Sequence, residues 1–176
     1  MNPYAFELAA SPHLAAELGG HQIDRRLILE AYAALSAGHE GVIVEGAGGL
    51  LVPFGRYWTL ADLLVDLHLP VIVVARAGLG TLNHTLLTLE ALRARRLEVA
   101  GVVLNQLTSQ AAGVIEADNV KVITDIGGAP VWGTMPHWER RDGELESVAL
   151  CSRLVQMPEL LSHVSPYLWP KVHTEM

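Results

Sequence analysis

An acid placed at the end of an apolar run, then a turn almost bare of side chains, is the part of this sequence best suited to chemistry. The run is Gly41, Val42, Ile43 and Val44; the acid is Glu45; Gly46, Ala47, Gly48 and Gly49 follow. Small residues let a backbone approach a ligand closely and can aim amide N–H groups at an anion. A carboxylate beside phosphates makes most sense through a metal, because Mg2+ takes oxygen ligands and bridges the two negative partners. A structural alternative stands beside this one: Glu45 caps a neighbouring helix, and the glycines only make a tight turn.

A second set lies in RAGLGTLNHT, Arg76 to Thr85. A strand ends there, Gly78 and Gly80 turn the chain, and a helix starts near Thr81 or Leu82. Its first N–H groups, with the Asn83 amide, form a seat for a carboxylate or phosphate. The alternative is an ordinary loop with Thr81 as N-cap. A dinucleotide fingerprint is excluded, since the third glycine is missing and no acid closes the next strand. Asn105, closing VVLNQ, carries one donor group and one acceptor, the pair that reads an adenine edge; an asparagine that merely starts a turn would look the same. None of the 8 histidines has a zinc-ligand spacing, and His84 reads as packing or capping. Cys151 has no base beside it in sequence, and no GxSxG elbow occurs.

The elements that must position these residues alternate. GVIVEG (41–46), PVIVVAR (70–76), VAGVVLN (99–105) and PVWGTM (130–135) are nearly continuous apolar runs, as strands buried on both faces are. Helical spacing fills the gaps. In Asp24–Ala37, Leu27, Ile28, Ala31 and Leu35 share a face behind Asp24 as N-cap. In Thr59–Leu67 the stripe is Leu60, Leu63, Leu64 and Leu67. In Thr81–Arg96 it is Leu82, Leu86, Leu89 and Leu92, with Arg93, Arg95 and Arg96 at the negative end of the dipole. A weaker helix is expected over Ser109–Asp125, ending at Gly127 and Gly128. This order predicts an α/β fold, a parallel sheet with helices on both faces joined by right-handed crossovers. Ligands collect outside the carboxyl ends of such strands. Residues 1–165 read as a single α/β domain and 166–176 as a tail.

Composition narrows the classes. With 176 residues, 51% of them hydrophobic and 18% charged, the chain is no disordered segment and holds one domain with a real core. A net charge of -7 argues against a nucleic-acid partner. No run reaches the roughly 18–20 apolar residues that span a bilayer, and the amino terminus lacks a basic region before an apolar stretch. One cysteine cannot make an internal disulfide and suits a reducing compartment. A soluble cytoplasmic protein without a membrane partner is expected.

Taken together, the strings NPYAFELAASPHLAAELGGHQID, VIVEGAGGLLVPF, LADLLVDLHLPVIVVARAGLGTLNHTLLTLEAL, VAGVVLNQL and GTMPHW resemble dethiobiotin synthetase, the ATP-dependent enzyme that closes the ureido ring of biotin. The resemblance covers roughly residues 2–138. It implies a P-loop NTPase-like three-layer sandwich and an ATP-dependent cyclo-ligase that uses Mg2+. Its partners would be 7,8-diaminopelargonate, CO2 and ATP, and it would act as a homodimer. By the same resemblance Glu45 holds Mg2+ next to ATP, and Gly46, Ala47 and Gly48 line the nucleotide phosphates and the reacting carbamate. Asn105 and Gln106 sit at the adenine, with Pro136, His137 and Trp138 in the loop beside base and ribose. Leu79, Gly80, Thr81 and Asn83 hold the carboxylate tail of 7,8-diaminopelargonate, offered across the dimer interface.

The family opens with a strand and a GxxxxGK[ST] phosphate loop, then a lysine and serine that meet the substrate and an aspartate on Mg2+. None of these strings occurs here, and the lysines are Lys121 and Lys171 alone. The expected sandwich therefore lacks its first strand and P-loop, and the catalytic lysines lie in the missing segment. Turnover by this chain alone is not expected. Each buried N–H or C=O left unpaired by the lost strand costs on the order of 1–3 kcal/mol. The sequence is read first as a fragment of, or start-site error for, a complete synthetase. Against that stand a separately encoded first piece, or a non-catalytic dimerising or ligand-sensing paralogue. A cobyrinate amidation enzyme is disfavoured by the short length and the lack of a glutaminase cysteine motif.

Overall fold

A computed structural model describes residues 1–39, 41–109 and 113–137. In order they form α1 (Pro12–Leu18), α2 (Arg25–Gly38), β1 (Pro53–Gly55), β2 (Trp58–Thr59), α3 (Leu60–Leu67), β3 (Val71–Arg76), α4 (Thr81–Ala94), β4 (Val99–Asn105), α5 (Val114–Asp125) and β5 (Val131–Met135). One compact unit contains Met1–Leu69 and a second begins at Pro70. The expected tail 166–176, Cys151 and Trp138 lie outside the described residues.

In the second unit β3, β4 and β5 form a parallel sheet in that order, the α/β architecture expected from the alternating runs. Arg76 lies opposite Asn105, and Asn105 opposite Met135, so the three strands end level with one another. Central β4 is the most buried strand, with Val102 and Leu104 fully enclosed, which is why its sequence is apolar without alternation. Helix α4 packs on β3 and β4, α5 packs on β5, and the two helices lie side by side. Their buried residues include Leu89 and Leu92 of α4 and Ile123 of α5.

The inward face of α4 differs from the expected stripe. Thr81, Thr85, Leu89 and Leu92 point inward, whereas Leu82 and Leu86 are only half-buried. Small hydroxyl-bearing residues fit where the helix comes close to its neighbours, and Thr81 Oγ1 meets Thr85 Oγ1 at 3.2 Å. The helix also stops at Ala94, because Arg96 takes a left-handed φ of 57°. Arg93 turns its guanidinium to the Gly127 carbonyl, and Arg95 donates to Ala91 O at 3.0 Å, so both satisfy carbonyls near helix ends.

In the first unit, Leu60, Leu63 and Leu67 of α3 form the core, with Ile28, Leu29, Tyr32, Phe54 and Trp58 packed around them. Leu27, expected on the inner face of α2, is 45% exposed; Leu29 and Tyr32 turn inward instead. Arg25 binds the Asp62 carbonyl and the Asp66 carboxylate and lies 5.9 Å from the centre of the Trp58 ring. It thereby ties the start of α2 to α3. Asp24 caps α2 as expected, accepting the Arg26 N–H at 2.8 Å. Asp24→Ala is expected to cost about 1 kcal/mol, read as a lower urea midpoint with an unchanged slope.

One expected strand is not a strand. Residues 41–46 run without regular structure, and Ile43 is 87% exposed. The apolar run carries strand propensity, but a strand needs a ladder, and no described neighbour offers one. The short helix α1 and the β1–β2 hairpin, conversely, were not signalled by periodicity. A helix of 7 residues gives too few turns for a stripe to show.

Candidate functional site

In the first unit the glycine turn is anchored on the start of α3. Val52 N–H bonds Gly49 O at 3.0 Å, and the first N–H groups around α3, Leu60 and Ala61, bond Val52 O and Leu50 O at 3.0 and 2.9 Å. Two of the glycines stand where a side chain would be crowded or strained. A Cβ at Gly46 would stand 2.3 Å from Leu60 Cδ2; Gly48 has φ of 82°, and a Cβ there would stand 2.8 Å from Val52 Cγ2. Ala47 and Gly48 are exposed, leaving backbone open to a ligand.

Glu45 leads into this turn with its side chain exposed. It does not cap a described helix: Asp24 caps α2, and the Asp62 carboxylate accepts Thr59 N–H and Thr59 Oγ1 at 2.7 and 2.8 Å at the head of α3. Glu45, Gly46 and Ala47 form part of the wall of a cavity of about 450 Å3 whose other residues are mostly apolar. Among the described residues no group of three His, Cys, Asp or Glu side chains could hold a metal ion by itself. An exposed carboxylate that caps no described helix fits Mg2+ in the manner that ion favours, as one protein ligand beside phosphate and water oxygens.

In the second unit the level strand ends bring the other candidates to one sheet edge. Ala77 N–H donates to Asn105 O, and Gln106 N–H to Met135 O, each at 2.9 Å. The turn into α4, the end of β4 and Pro136–His137 after β5 therefore gather at the carboxyl edge, where open α/β sheets bind ligands. Gly80 is the residue before α4 and has φ of 89°, a left-handed conformation that suits glycine. Leu79 is 86% exposed, and Gly80 and Asn83 are exposed too. Thr81 is different. Its side chain is 2% exposed and bonded to Thr85, and its N–H closes the turn on Gly78 O at 3.3 Å. It therefore starts α4 rather than capping it, and the N–H groups of Leu82 and Asn83 are the donors a helix start leaves for an anion.

Sequence reasoning missed Asn119, which reaches from α5 to the Ala77 and Gly78 carbonyls behind this seat. The available signal was a polar residue four before Ile123, on the buried stripe of the helix. Glu116 was missed as well; it accepts Gly113 N–H at 2.7 Å, and that bond holds its carboxyl below the usual glutamate range.

Comparison with known proteins decides the family. A family model described as an AAA domain matches residues 1–144. The chain belongs to that AAA domain family. Within it, the chain is 57% identical over 104 residues to an ATP-dependent dethiobiotin synthetase of Anaeromyxobacter sp. (strain Fw109-5), covering 59% of this chain and 47% of the relative. The corresponding protein of Lysinibacillus sphaericus is 45% identical over 141 residues, covering 79% and 58%. That of Akkermansia muciniphila is 39% identical over 137 residues, covering 78% and 64%. The resemblance drawn from the sequence strings thus holds over most of this AAA-domain chain, which spans about half the length of the first two relatives. Among the described residues no helix is long and apolar enough to cross a membrane.

Proposed function

We propose that this chain acts in a dethiobiotin synthetase, an ATP-dependent cyclo-ligase of biotin biosynthesis that works in the cytoplasm as a homodimer. One amine of 7,8-diaminopelargonate takes up CO2 to form a carbamate, ATP phosphorylates it, and the second amine displaces phosphate to close the urea ring. Mg2+ would neutralise charge on the transferring phosphoryl group, and Glu45 is the residue that would hold it. Gly46, Ala47 and Gly48 present backbone to the phosphates and the reacting carbamate. By resemblance, Asn105 and Gln106 would sit at the adenine, with Pro136, His137 and Trp138 beside base and ribose.

The substrate's carboxylate tail is seated at the start of α4. Leu79, Gly80 and Asn83 offer it exposed groups, and Thr81 contributes by building the turn, since its hydroxyl is committed to Thr85. The observation that carries this reading is that α4 start: a left-handed Gly80 opens a helix of 14 residues at the carboxyl edge of the sheet, in a segment shared with relatives named dethiobiotin synthetase. The test joins this chain to an upstream segment carrying the GxxxxGK[ST] loop and assays dethiobiotin from 7,8-diaminopelargonate, bicarbonate and Mg-ATP. Product supports the ligase. A second reading, a ligand-sensing paralogue, is favoured by the intact seat in a sequence without GK[ST]; binding of 7,8-diaminopelargonate with no turnover in that assay would select it.

A further inference from the structure

Helix α5 carries an amide on its apolar face. Asn119 lies one turn before Ile123 and is 4% exposed. Asparagine is a poor helix former, and its amide must find partners once removed from water. It finds them outside its own helix. Nδ2 donates to Ala77 O at 2.7 Å, with a longer contact to Gly78 O at 3.4 Å. Ala77 is buried, and its own N–H donates to Asn105 O at 2.9 Å. The residue leaving β3 is therefore held from two sides, by β4 through its N–H and by α5 through its carbonyl. Gly78 O in turn accepts the Thr81 N–H at 3.3 Å, which closes the turn into α4.

We propose that Asn119 is a positioning residue for the anion seat: its amide fixes the Ala77 and Gly78 carbonyls and so sets where the Leu82 and Asn83 N–H groups point. This rests on the reading that the α4 start receives the substrate carboxylate. Glu116, on the same helix, serves a different end, since its carboxylate is spent on the Gly113 N–H at the head of α5. If Asn119 only filled space, an apolar residue of equal size would serve as well.

The wild-type chain and Asn119→Leu, which keeps the branching and heavy-atom count of the side chain and removes the donor, separate these roles. By residue-resolved NMR, Asn119→Leu is expected to speed amide exchange at Ala77 and Thr81 by about tenfold or more, the equivalent of one lost hydrogen bond. Val102, whose N–H is bonded to Pro130 O in the sheet, should keep its rate. Calorimetry should show 7,8-diaminopelargonate binding at least about tenfold more weakly to the variant. Unchanged exchange at Ala77 and Thr81, or an equal rise at Val102, overturns the proposal. If Asn119→Leu does not fold, the wild type decides: its Asn119 side-chain NH2 should be protected and show cross-peaks to Ala77 and Gly78, and a freely exchanging NH2 overturns it. Wild type with that protected pattern but no affinity for 7,8-diaminopelargonate supports the hold on the turn and counts against the substrate reading alone.

Discussion

Gly127→Ala is expected to destabilise the unit that begins at Pro70 by about 3 kcal/mol, at the upper end of what overpacking costs. A Cβ at Gly127 would stand 2.2 Å from Ile123 O, 3.1 Å from Ile123 C and 2.9 Å from Leu89 Cδ1. The first two are backbone at the end of α5 and cannot swing aside as a side chain would. The helix end must move, and with it the Gly127 carbonyl that takes the Arg93 guanidinium. Urea unfolding should show the loss as a lower midpoint. Gly38→Ala is the control: nothing lies within 4 Å of its added Cβ, and it sits in the last turn of α2. There alanine should be neutral or stabilise by up to about 1 kcal/mol. Equal effects at the two glycines would show that the close approach at α4 and α5 is wrong.

Glu45→Gln should cut dethiobiotin formation by about a hundredfold or more in the joined protein, the scale on which a single group that stabilises transition-state charge acts. The amide keeps the shape and removes the charge that attracts Mg2+. Because Glu45 is exposed and makes no bond to a described helix, the melting temperature should stay where it is. Part of the activity should return as Mg2+ is raised. Full activity at low Mg2+ would remove Glu45 from the metal.

Much of this arrangement was legible in the residues. Asp24 ahead of a helical stripe marked the start of α2, and VAGVVLN marked β4 because a strand enclosed on both faces has no reason to alternate. EGAGG and the start of α4 were visible because clustered glycines mark sharp turns that side chains would obstruct. What escaped was decided by neighbours far along the chain. GVIVEG has the composition of a strand, yet pairing is a property of two segments and cannot be read from one. The inward face of α4 was mistaken because leucine outranks threonine in hydrophobicity, while a close helix contact selects for size. Asn119 was invisible for the same reason: its partners lie 42 and 41 residues earlier.

The most direct measurement follows carbon-13 bicarbonate through the joined protein in the presence of 7,8-diaminopelargonate and Mg-ATP, with mass spectrometry of the product. The label is predicted in the ureido carbon of dethiobiotin, with one ADP released for each ring closed. ATP consumed without labelled ring, or 7,8-diaminopelargonate bound and returned unchanged, would contradict it.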